Sequence, residues 1–169
     1  MCYLATNTPH GPFNPKPEDR DVITKRLADP QFDHLDGKLK NQLANYLGMI
    51  VNIDANMGSL LEFLDDEDLA DNTILIFKTD NGSLLGPRYF NAGMRGRKTE
   101  LWEGGHRVPC FIRWPDGNLA KPQDIGGLTQ VQDILPTLLE LSGIKSENGP
   151  EFDGTSLASV LRGEQHVPD

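Results

Sequence analysis

Apolar residues recur at intervals of three and four positions between Leu39 and Leu64, with polar residues between them. The apolar positions are Leu39, Leu43, Tyr46, Leu47, Ile50, Ile53, Met57, Leu60, Leu61 and Leu64. This spacing is that of an α-helix with one buried face, so it predicts a long amphipathic helix. The acidic run from Asp65 to Asp68 is unfavourable at the negative end of a helix dipole, and we therefore expect the helix to end near Leu64.

Short apolar runs bounded by turn residues predict β-strands at three places in the chain. The first, Tyr3 to Thr6, lies almost at the first residue, and the others span Thr73 to Thr79 and Val108 to Trp114. The run from Ile74 to Phe77 is apolar throughout, which is typical of a strand buried on both faces of a sheet.

Helical patterns alternate with these strands. A short helix is predicted around Val22 to Leu27, an apolar stripe runs from Val131 to Leu141, and a last short helix ends at Leu161. Pro136 is compatible with the stripe only in its first turn, and Gly143 suits the position just past its end. Alternating helices and strands predict an α/β fold, in which helices flank a sheet.

Polar residues with metal-binding chemistry follow the second predicted strand directly, as Asp80-Asn81-Gly82. In open α/β sheets, ligands bind beyond the carboxyl ends of strands, which is where Asp80 and Asn81 are expected to lie. A carboxylate and an amide oxygen are hard donors that suit Ca²⁺ or Mg²⁺. The sequence therefore predicts that Asp80 and Asn81 belong to a metal site.

The segment from Gly86 to Arg107 is basic in an otherwise acidic chain. It carries five basic and two acidic residues, a local charge of +3, whereas the whole chain has a net charge of −9. The basic residues are Arg88, Arg95, Arg97, Lys98 and Arg107, and the acidic ones are Glu100 and Glu103. A basic, glycine-containing loop beside a cation site predicts the capture of a small multivalent oxyanion.

Composition narrows the class of protein. A chain of 169 residues fits one domain, and its net negative charge argues against nucleic acid as the main partner. It contains no apolar run long enough to span a membrane and no pattern of a secretory signal, so no membrane partner is predicted. Cys2 and Cys110 lie far apart without metal-binding spacing, and we expect two unpaired thiols rather than a disulfide.

His10 lies in a segment dense in turn-forming residues, Asn7 to Pro12. From the residues alone, two interpretations stay open. His10 is either a functional group presented by a loop, or a loop histidine whose ring bonds the backbone.

Seven segments, in this order along the chain, resemble motifs of the type I sulfatases, the arylsulfatase family of the alkaline phosphatase superfamily. They are Ala5–Pro12, Ile53–Gly58, Leu69–Phe77, Thr79–Gly82, Gly96–Thr99 running to Trp102–Pro109, Asp133–Leu139 and Asp153–Leu157. They are spread over nearly the whole chain, from residue 5 to residue 157, and seven motifs in order are far more specific than any one of them. The resemblance implies an alkaline-phosphatase-like α/β fold, a mixed sheet flanked by helices, and Ca²⁺-dependent hydrolysis of sulfate esters.

The resemblance also implies roles for individual residues. Asp80 and Asn81 match two of the family's four Ca²⁺ ligands. Lys98 matches a lysine that contacts the sulfate and the bridging oxygen, and His10 matches a histidine that contacts the sulfate and helps to protonate the leaving group. These roles agree with general chemistry, since lysine is a mobile point charge and histidine donates protons near neutral pH.

Three further residues match recurrent family positions. For Glu103 and Arg107 we expect an ion pair that braces the loop, and for Trp102 a role in packing.

The family's nucleophile has no counterpart in this sequence. That nucleophile is a cysteine in a Cys-x-Pro-Ser-Arg or Cys-x-Ala-Ser-Arg motif, converted to formylglycine, and neither Cys2 nor Cys110 begins such a motif. The Asp-Asp pair that completes the family's Ca²⁺ site and the smaller C-terminal domain are not matched either. We therefore expect residues 1–169 to be the C-terminal portion of a sulfatase catalytic domain, with an incomplete Ca²⁺ site and no activity of its own.

Two alternatives stay open at this point. One is a phosphonate or phosphodiester hydrolase of the same superfamily, because phosphoryl and sulfuryl groups have similar shapes. The other is a truncated, non-catalytic module that forms oligomers, because bare strand edges and apolar faces favour self-association. The implied partner of the intact parent is a sulfate ester substrate. Family members are often exported or lysosomal, but nothing in this sequence specifies the compartment or the natural substrate.

Overall fold

The computed structural model describes residues 1–145, 149, 151–164 and 167 of the chain. Its helices are α1 (Pro17–Leu27), α2 (Gly37–Asp66), α3 (Glu103–His106), α4 (Ile134–Leu141) and α5 (Ala158–Leu161), and its strands are β1 (Leu75–Lys78) and β2 (Cys110–Arg113). Within the described residues, β1 and β2 pair as a two-stranded sheet. The chain divides into two compact units: Met1–Glu67 with Phe77–Phe111, and Asp68–Ile76 with Ile112–Asp169.

Helices α1 and α2 form the core of the first unit. Their buried residues are Ile23, Leu27, Leu39, Leu43 and Ala44, and the side chain of Leu43 is fully buried. A glycine at position 48 permits a close approach, because a Cβ there would lie 3.0 Å from Cβ of Pro15. The apolar period of α2 therefore correctly predicts which of its faces packs against the rest of the unit.

The ends of α2 are set by polar residues. Asp36 caps the first turn, since its carboxylate accepts a hydrogen bond of 2.7 Å from the backbone N–H of Leu39. The helix ends at Asp66, two residues past its predicted end, and Asp68 takes a left-handed conformation with φ of 55°. Although α2 has 30 residues, neither it nor any other described helix is long and apolar enough to cross a membrane.

The loop after β1 is anchored on the helical core. Leu85 and Tyr89 pack against that core, and the rings of Phe32 and Tyr89 stack with their centroids 5.6 Å apart. Arg26 donates a hydrogen bond of 3.2 Å from Nε to the hydroxyl of Tyr89. These contacts fix the start of the basic segment relative to α1 and α2.

Two predictions about strands are wrong. Tyr3 to Thr6 forms no strand, and Tyr3 and Leu4 are 85% and 69% exposed. Strand propensity reflects packing against a neighbouring strand, and the described residues supply none at this position. In β1, Leu75 to Phe77 are half-buried rather than buried on both faces, because β2 is its only partner in the described chain.

In the second unit, the apolar stripe at 131–141 forms a 3-10 turn (Val131–Asp133) followed by α4, and both expectations for the ends of the helix are confirmed. Pro136 lies in the first turn of α4, and Gly143 follows its end with φ of 67°. The N–H of Gly143 donates to the carbonyl of Glu140 (3.1 Å), and that of Ile144 donates to the carbonyl of Leu139 (2.9 Å). This is the Schellman arrangement, which satisfies carbonyls at the end of a helix. Helix α5 likewise ends at Leu161, as predicted.

A buried carboxylate joins the start of α4 to the segment before α5. Asp133 is 6% exposed, and its two carboxylate oxygens accept backbone hydrogen bonds from Gln130 (2.7 Å) and Thr155 (2.9 Å). Thr137 continues the connection, because its hydroxyl accepts a hydrogen bond of 2.8 Å from the N–H of Leu157. Two of the sequence motifs, at 133–139 and 153–157, are thus held together by side chains from the first of them.

Candidate functional site

The candidate site begins just past the end of β1, with Asp80 and Asn81. Asp80 is exposed, Asn81 is half-buried, and the side-chain amide of Asn81 donates a hydrogen bond to Oδ2 of Asp80. Within the described residues, neither Oδ1 of Asp80 nor Oδ1 of Asn81 accepts a hydrogen bond. The two side chains therefore lie against one another, each with an oxygen available to a cation.

Glycines bring a second turn directly against this pair. The N–H of Gly82 donates to the carbonyl of Gly105 (2.9 Å), and the N–H of Gly104 donates to the carbonyl of Arg95 (2.8 Å). A Cβ on Gly82 would lie 2.0 Å from the carbonyl oxygen of Gly104, and a Cβ on Gly104 would lie 2.2 Å from that of Gly96. Since such contacts are impossible for a side chain, the backbones pack this closely only because these residues are glycines.

Lys98 is held against the same segment. Its backbone N–H donates a hydrogen bond of 3.3 Å to the carbonyl of Ser83, which is two residues after Asn81, and its side chain is half-buried. Ser83 is itself fixed, because its hydroxyl accepts hydrogen bonds from the N–H groups of Leu85 (3.2 Å) and Gly86 (2.9 Å). The structure thus brings the backbone of Lys98 to the tip that carries Asp80 and Asn81.

His10 lies in a separate, exposed loop of the same unit. Its backbone N–H donates to the carbonyl of Asn7, and its ring Nδ1 lies 2.9 Å from the carbonyl oxygen of Gly11. Because a carbonyl only accepts, we assign the proton to Nδ1, and among the described residues Nε2 has no hydrogen-bond partner. In the described chain no hydrogen bond joins His10 to Lys98 or to the Asp80-Asn81 pair.

Ion pairs occupy both acidic side chains of the basic segment. Nε of Arg97 lies 3.2 Å from the carboxylate of Glu100, and Nη1 of Arg107 lies 3.4 Å from that of Glu103. The second pair spans one turn of α3, as expected from the sequence. Both pairs are exposed, so each contributes little to stability. Their importance is that they neutralise two of the five local cations.

The remaining cations of the segment are Arg88, Arg95 and Lys98, and none of them forms an ion pair with another described residue. Arg95 instead lies over the ring of Trp102, with Cζ 3.4 Å from the ring centroid. Trp102 is 47% exposed, so it packs against Arg95 rather than within a core. The net positive charge of the segment therefore remains available to an oxyanion.

Sequence reasoning missed Ser83, the glycine contacts and the stacking of Arg95 on Trp102. The loop has no periodic pattern that would predict which of its residues meet. Its one signal is the set of glycines at 82, 104 and 105, which marks positions where two backbones approach closely.

The side chains at this site have the right kind of donor atom for a hard cation, but too few of them. Asp80 and Asn81 supply oxygen donors of the kind that Ca²⁺ prefers, although Ca²⁺ takes about six to eight such ligands. Among the described residues there is no group of three or more His, Cys, Asp or Glu side chains that could hold a metal ion. At this point the described chain thus supplies two side chains with suitable oxygens, which is fewer than a Ca²⁺ coordination shell requires.

The cysteines do not fit the formylglycine of the sulfatase nucleophile. Cys2 and Cys110 are both free, as expected, both are exposed, and neither begins the required motif. Although the residue as a whole is exposed, partial burial of the Cys110 thiol raises its pKa, and the nearby ammonium of Lys78 opposes that rise. A raised pKa lowers the thiolate fraction at neutral pH, which is the reverse of what an activated cysteine requires.

Comparison of the sequence with those of known proteins identifies its family. The family model described as Sulfatase matches residues 1–144. A sulfatase of Formosa agariphila is 36% identical over all of this chain and 31% of its own length. The steryl-sulfatase of Mus musculus is 33% identical over 85% of this chain and 23% of its own, and the uncharacterised sulfatase YdeN of Escherichia coli is 32% identical over 98% and 28%. The chain thus spans about a quarter to a third of these relatives.

Solved structures give the same result. The structure of Ps i-CgsB matches 97% of this chain and 34% of its own with a TM-score of 0.79 and 29% identity. A phosphonate monoester hydrolase from Silicibacter pomeroyi matches 92% of this chain and 31% of its own with a TM-score of 0.62, but at 22% identity the likeness shows a common fold alone. The phosphonate hydrolase alternative is therefore not favoured. The predicted α/β, alkaline-phosphatase-like fold is confirmed, and the chain belongs to the sulfatase family.

Proposed function

We propose that residues 1–169 are the C-terminal portion of the catalytic domain of a Ca²⁺-dependent sulfatase. In this proposal Asp80 and Asn81 supply two ligands of the metal, and Lys98 and His10 contact the sulfate group of the ester. The observation that supports it most directly is the hydrogen bond from Lys98 to Ser83, which holds the lysine backbone beside the metal-binding pair. Membership of the sulfatase family supports sulfate esters as the class of substrate.

Lys98 is suited to bind the sulfate because its charge is not already neutralised. The carboxylates of Glu100 and Glu103 are paired with Arg97 and Arg107, so no acid of the segment competes for the Lys98 ammonium. A charge-assisted hydrogen bond from this ammonium to a sulfate oxygen is stronger than a neutral one. Bound Ca²⁺ would polarise the ester oxygens and favour the buildup of negative charge.

His10 is suited to donate a proton to the departing oxygen. The hydrogen bond from Nδ1 to the carbonyl of Gly11 fixes the tautomer and the plane of the ring. Nε2 then carries the mobile proton of the imidazolium form and is free to point at a ligand. A general acid in this position would neutralise an alkoxide or phenoxide as the ester bond breaks.

The proposal includes the prediction that the isolated chain does not turn over sulfate esters. Hydrolysis by this family proceeds through a formylglycine, and neither cysteine of the chain begins the motif from which it is made. Without its nucleophile, an enzyme that uses a covalent mechanism hydrolyses its substrate no faster than the uncatalysed reaction. What remains to the chain is binding of metal and sulfate.

The test is calorimetric titration of the purified chain with CaCl₂ and with sodium sulfate, together with an assay of 4-nitrophenyl sulfate hydrolysis. Asp80→Ala should abolish specific Ca²⁺ binding, and Lys98→Ala should weaken sulfate binding by about tenfold. Asp66→Ala and Lys121→Ala are matched controls, because they remove an exposed acid and an exposed base from elsewhere in the chain.

Each result has a clear consequence. Equal Ca²⁺ binding by the unmodified chain, Asp80→Ala and Asp66→Ala would remove metal binding from the proposal. Equal effects of Lys98→Ala and Lys121→Ala on sulfate binding would remove the sulfate contact. Turnover of 4-nitrophenyl sulfate by the unmodified chain that is lost in Lys98→Ala would contradict the predicted inactivity of the chain alone.

A further inference from the structure

A cationic groove lies between α1 and α2, in the helical core of the first unit. It is open to solvent, and its volume is about 320 Å³. Its floor is apolar, formed by Leu27 and Ala44, each of them 2% exposed. Its polar lining consists of Arg20, Thr24, Lys40 and Asn41. A volume of this size accommodates a small organic molecule.

Arg20 is held in this groove without being neutralised. Its Nε donates a hydrogen bond of 2.8 Å to Oδ1 of Asn45, and Nη2 donates one of 2.6 Å to Oδ1 of Asn41. Both partners are neutral amides, and among the described residues Arg20 forms no ion pair. Two bonds thus orient the planar guanidinium, while its charge and its remaining N–H donors stay available.

Lys40 adds a second cation to the lining of the groove. Its side chain is 25% exposed, and its Nζ lies 3.4 Å from the carboxylate of Asp33, which is itself 73% exposed. An ion pair of this length on the surface contributes little, so an anion in the groove competes with Asp33 for the ammonium. The acids at the nearby helix starts, Asp36 and Asp29, cap backbone N–H groups and form no ion pair with Arg20 or Lys40 among the described residues.

We propose that the α1–α2 groove binds a small organic oxyanion, a carboxylate or a sulfate attached to a short apolar body. Arg20 would bind two of its oxygens through the oriented fork, and Lys40 would contribute a point charge. The apolar body would lie against Leu27 and Ala44, and because these two residues are already only 2% exposed, the apolar surface removed from water would be mainly that of the body itself. No residue of the Asp80, Asn81 and Lys98 site takes part, so the groove would bind its ligand whether or not the chain acts on sulfate esters.

The test is an NMR titration of the whole chain with sodium benzoate, with phenyl sulfate in a second series, and with benzamide as the neutral analogue. Both anions should produce saturable shifts of the Nε–H signal of Arg20 and of the side-chain amide signals of Asn41 and Asn45. Benzamide should not. Lys40→Gln should raise the Kd for benzoate by roughly three- to tenfold, the loss of one charge-assisted contact.

Control variants separate this site from its neighbours. Lys38→Gln removes a charge from the adjacent turn of α2 without touching the groove lining, and it should leave the Kd unchanged. Lys98→Ala should also leave it unchanged. Lys40→Gln breaks only the long pair with Asp33, so its fold should be intact.

Several results would overturn the proposal. Shifts of equal size with benzamide would show that charge plays no part, and equal effects of Lys40→Gln and Lys38→Gln would show that the groove is not the site. If the chemical shift of the Arg20 Nε–H signal changed linearly with benzoate concentration up to about 50 mM, there would be no saturable site. Arg20 would then serve only to join the two helices.

Discussion

The substitution Gly82→Ala tests the contact on which the candidate site is built. A Cβ at position 82 would lie 2.0 Å from the carbonyl oxygen of Gly104, 3.0 Å from its carbonyl carbon and 3.3 Å from Cα of Gly105. All three neighbours are backbone atoms, so no side chain can rotate away. Relief requires the turn at Gly104 and Gly105 to move, which would also lengthen the hydrogen bond of 2.9 Å from Gly82 to Gly105.

The expected cost follows from these two effects. Overpacking that forces the backbone to shift costs about 1–3 kcal/mol. The loss of one backbone hydrogen bond adds about 0.5–1.5 kcal/mol. We therefore expect Gly82→Ala to lower the free energy of unfolding by about 2–4 kcal/mol, and the Tm by roughly 5–15 °C for a chain of this size.

Urea denaturation followed by circular dichroism measures this change, with Gly58→Ala as the control. Gly58 lies inside α2, and a Cβ there would meet no atom within 4 Å outside the backbone of its own helix. Alanine at this position should stabilise the chain by about 0.5–1 kcal/mol, because glycine is the weaker helix former. If Gly82→Ala proved as stable as the unmodified chain, the close contact between the two turns would not exist in solution.

Three other predictions follow from packing and charge. Asp133→Ala leaves the N–H groups of Gln130 and Thr155 without their acceptor and should destabilise the chain by about 2–4 kcal/mol in urea denaturation; an unchanged midpoint would contradict this. Lys78→Gln removes the charge that opposes the burial-driven rise in the pKa of Cys110, so that pKa rises further and the pH profile of iodoacetamide alkylation at that cysteine moves to higher pH. A profile that is unchanged or moves to lower pH would refute the role of the lysine. The isolated chain should self-associate, because strand edges and apolar side chains are exposed, and light scattering at the monomer mass over the accessible concentration range would count against this.

The sequence predicts the helices well because their signals are local. The apolar period of α2 identifies its buried face, and Pro136 and Gly143 mark the two ends of α4. Burial of strands is less predictable. The run from Leu75 to Phe77 has the composition of a central strand, yet its burial depends on the number of neighbouring strands, which local composition does not specify.

The candidate site likewise contains residues that the sequence alone identifies and contacts that it does not. Asp80 and Asn81 are identifiable from their chemistry and from their position after a strand. The role expected of Lys98 came from its resemblance to a family motif, since nothing in the spacing of the loop relates it to Ser83. That proximity depends on backbone packing at Gly82 and Gly104, which involves no side chains and therefore leaves no hydrophobic pattern.

The central claim, that Asp80 and Asn81 hold a cation beside Lys98, is tested most directly by paramagnetic relaxation with Mn²⁺ in place of Ca²⁺. Substoichiometric Mn²⁺ should broaden the backbone amide signals of Ser83 and Lys98 in the NMR spectrum, and Asp80→Ala should abolish this broadening. Broadening confined to the acidic end of α2, or broadening at Lys98 that persists in Asp80→Ala, would contradict the account.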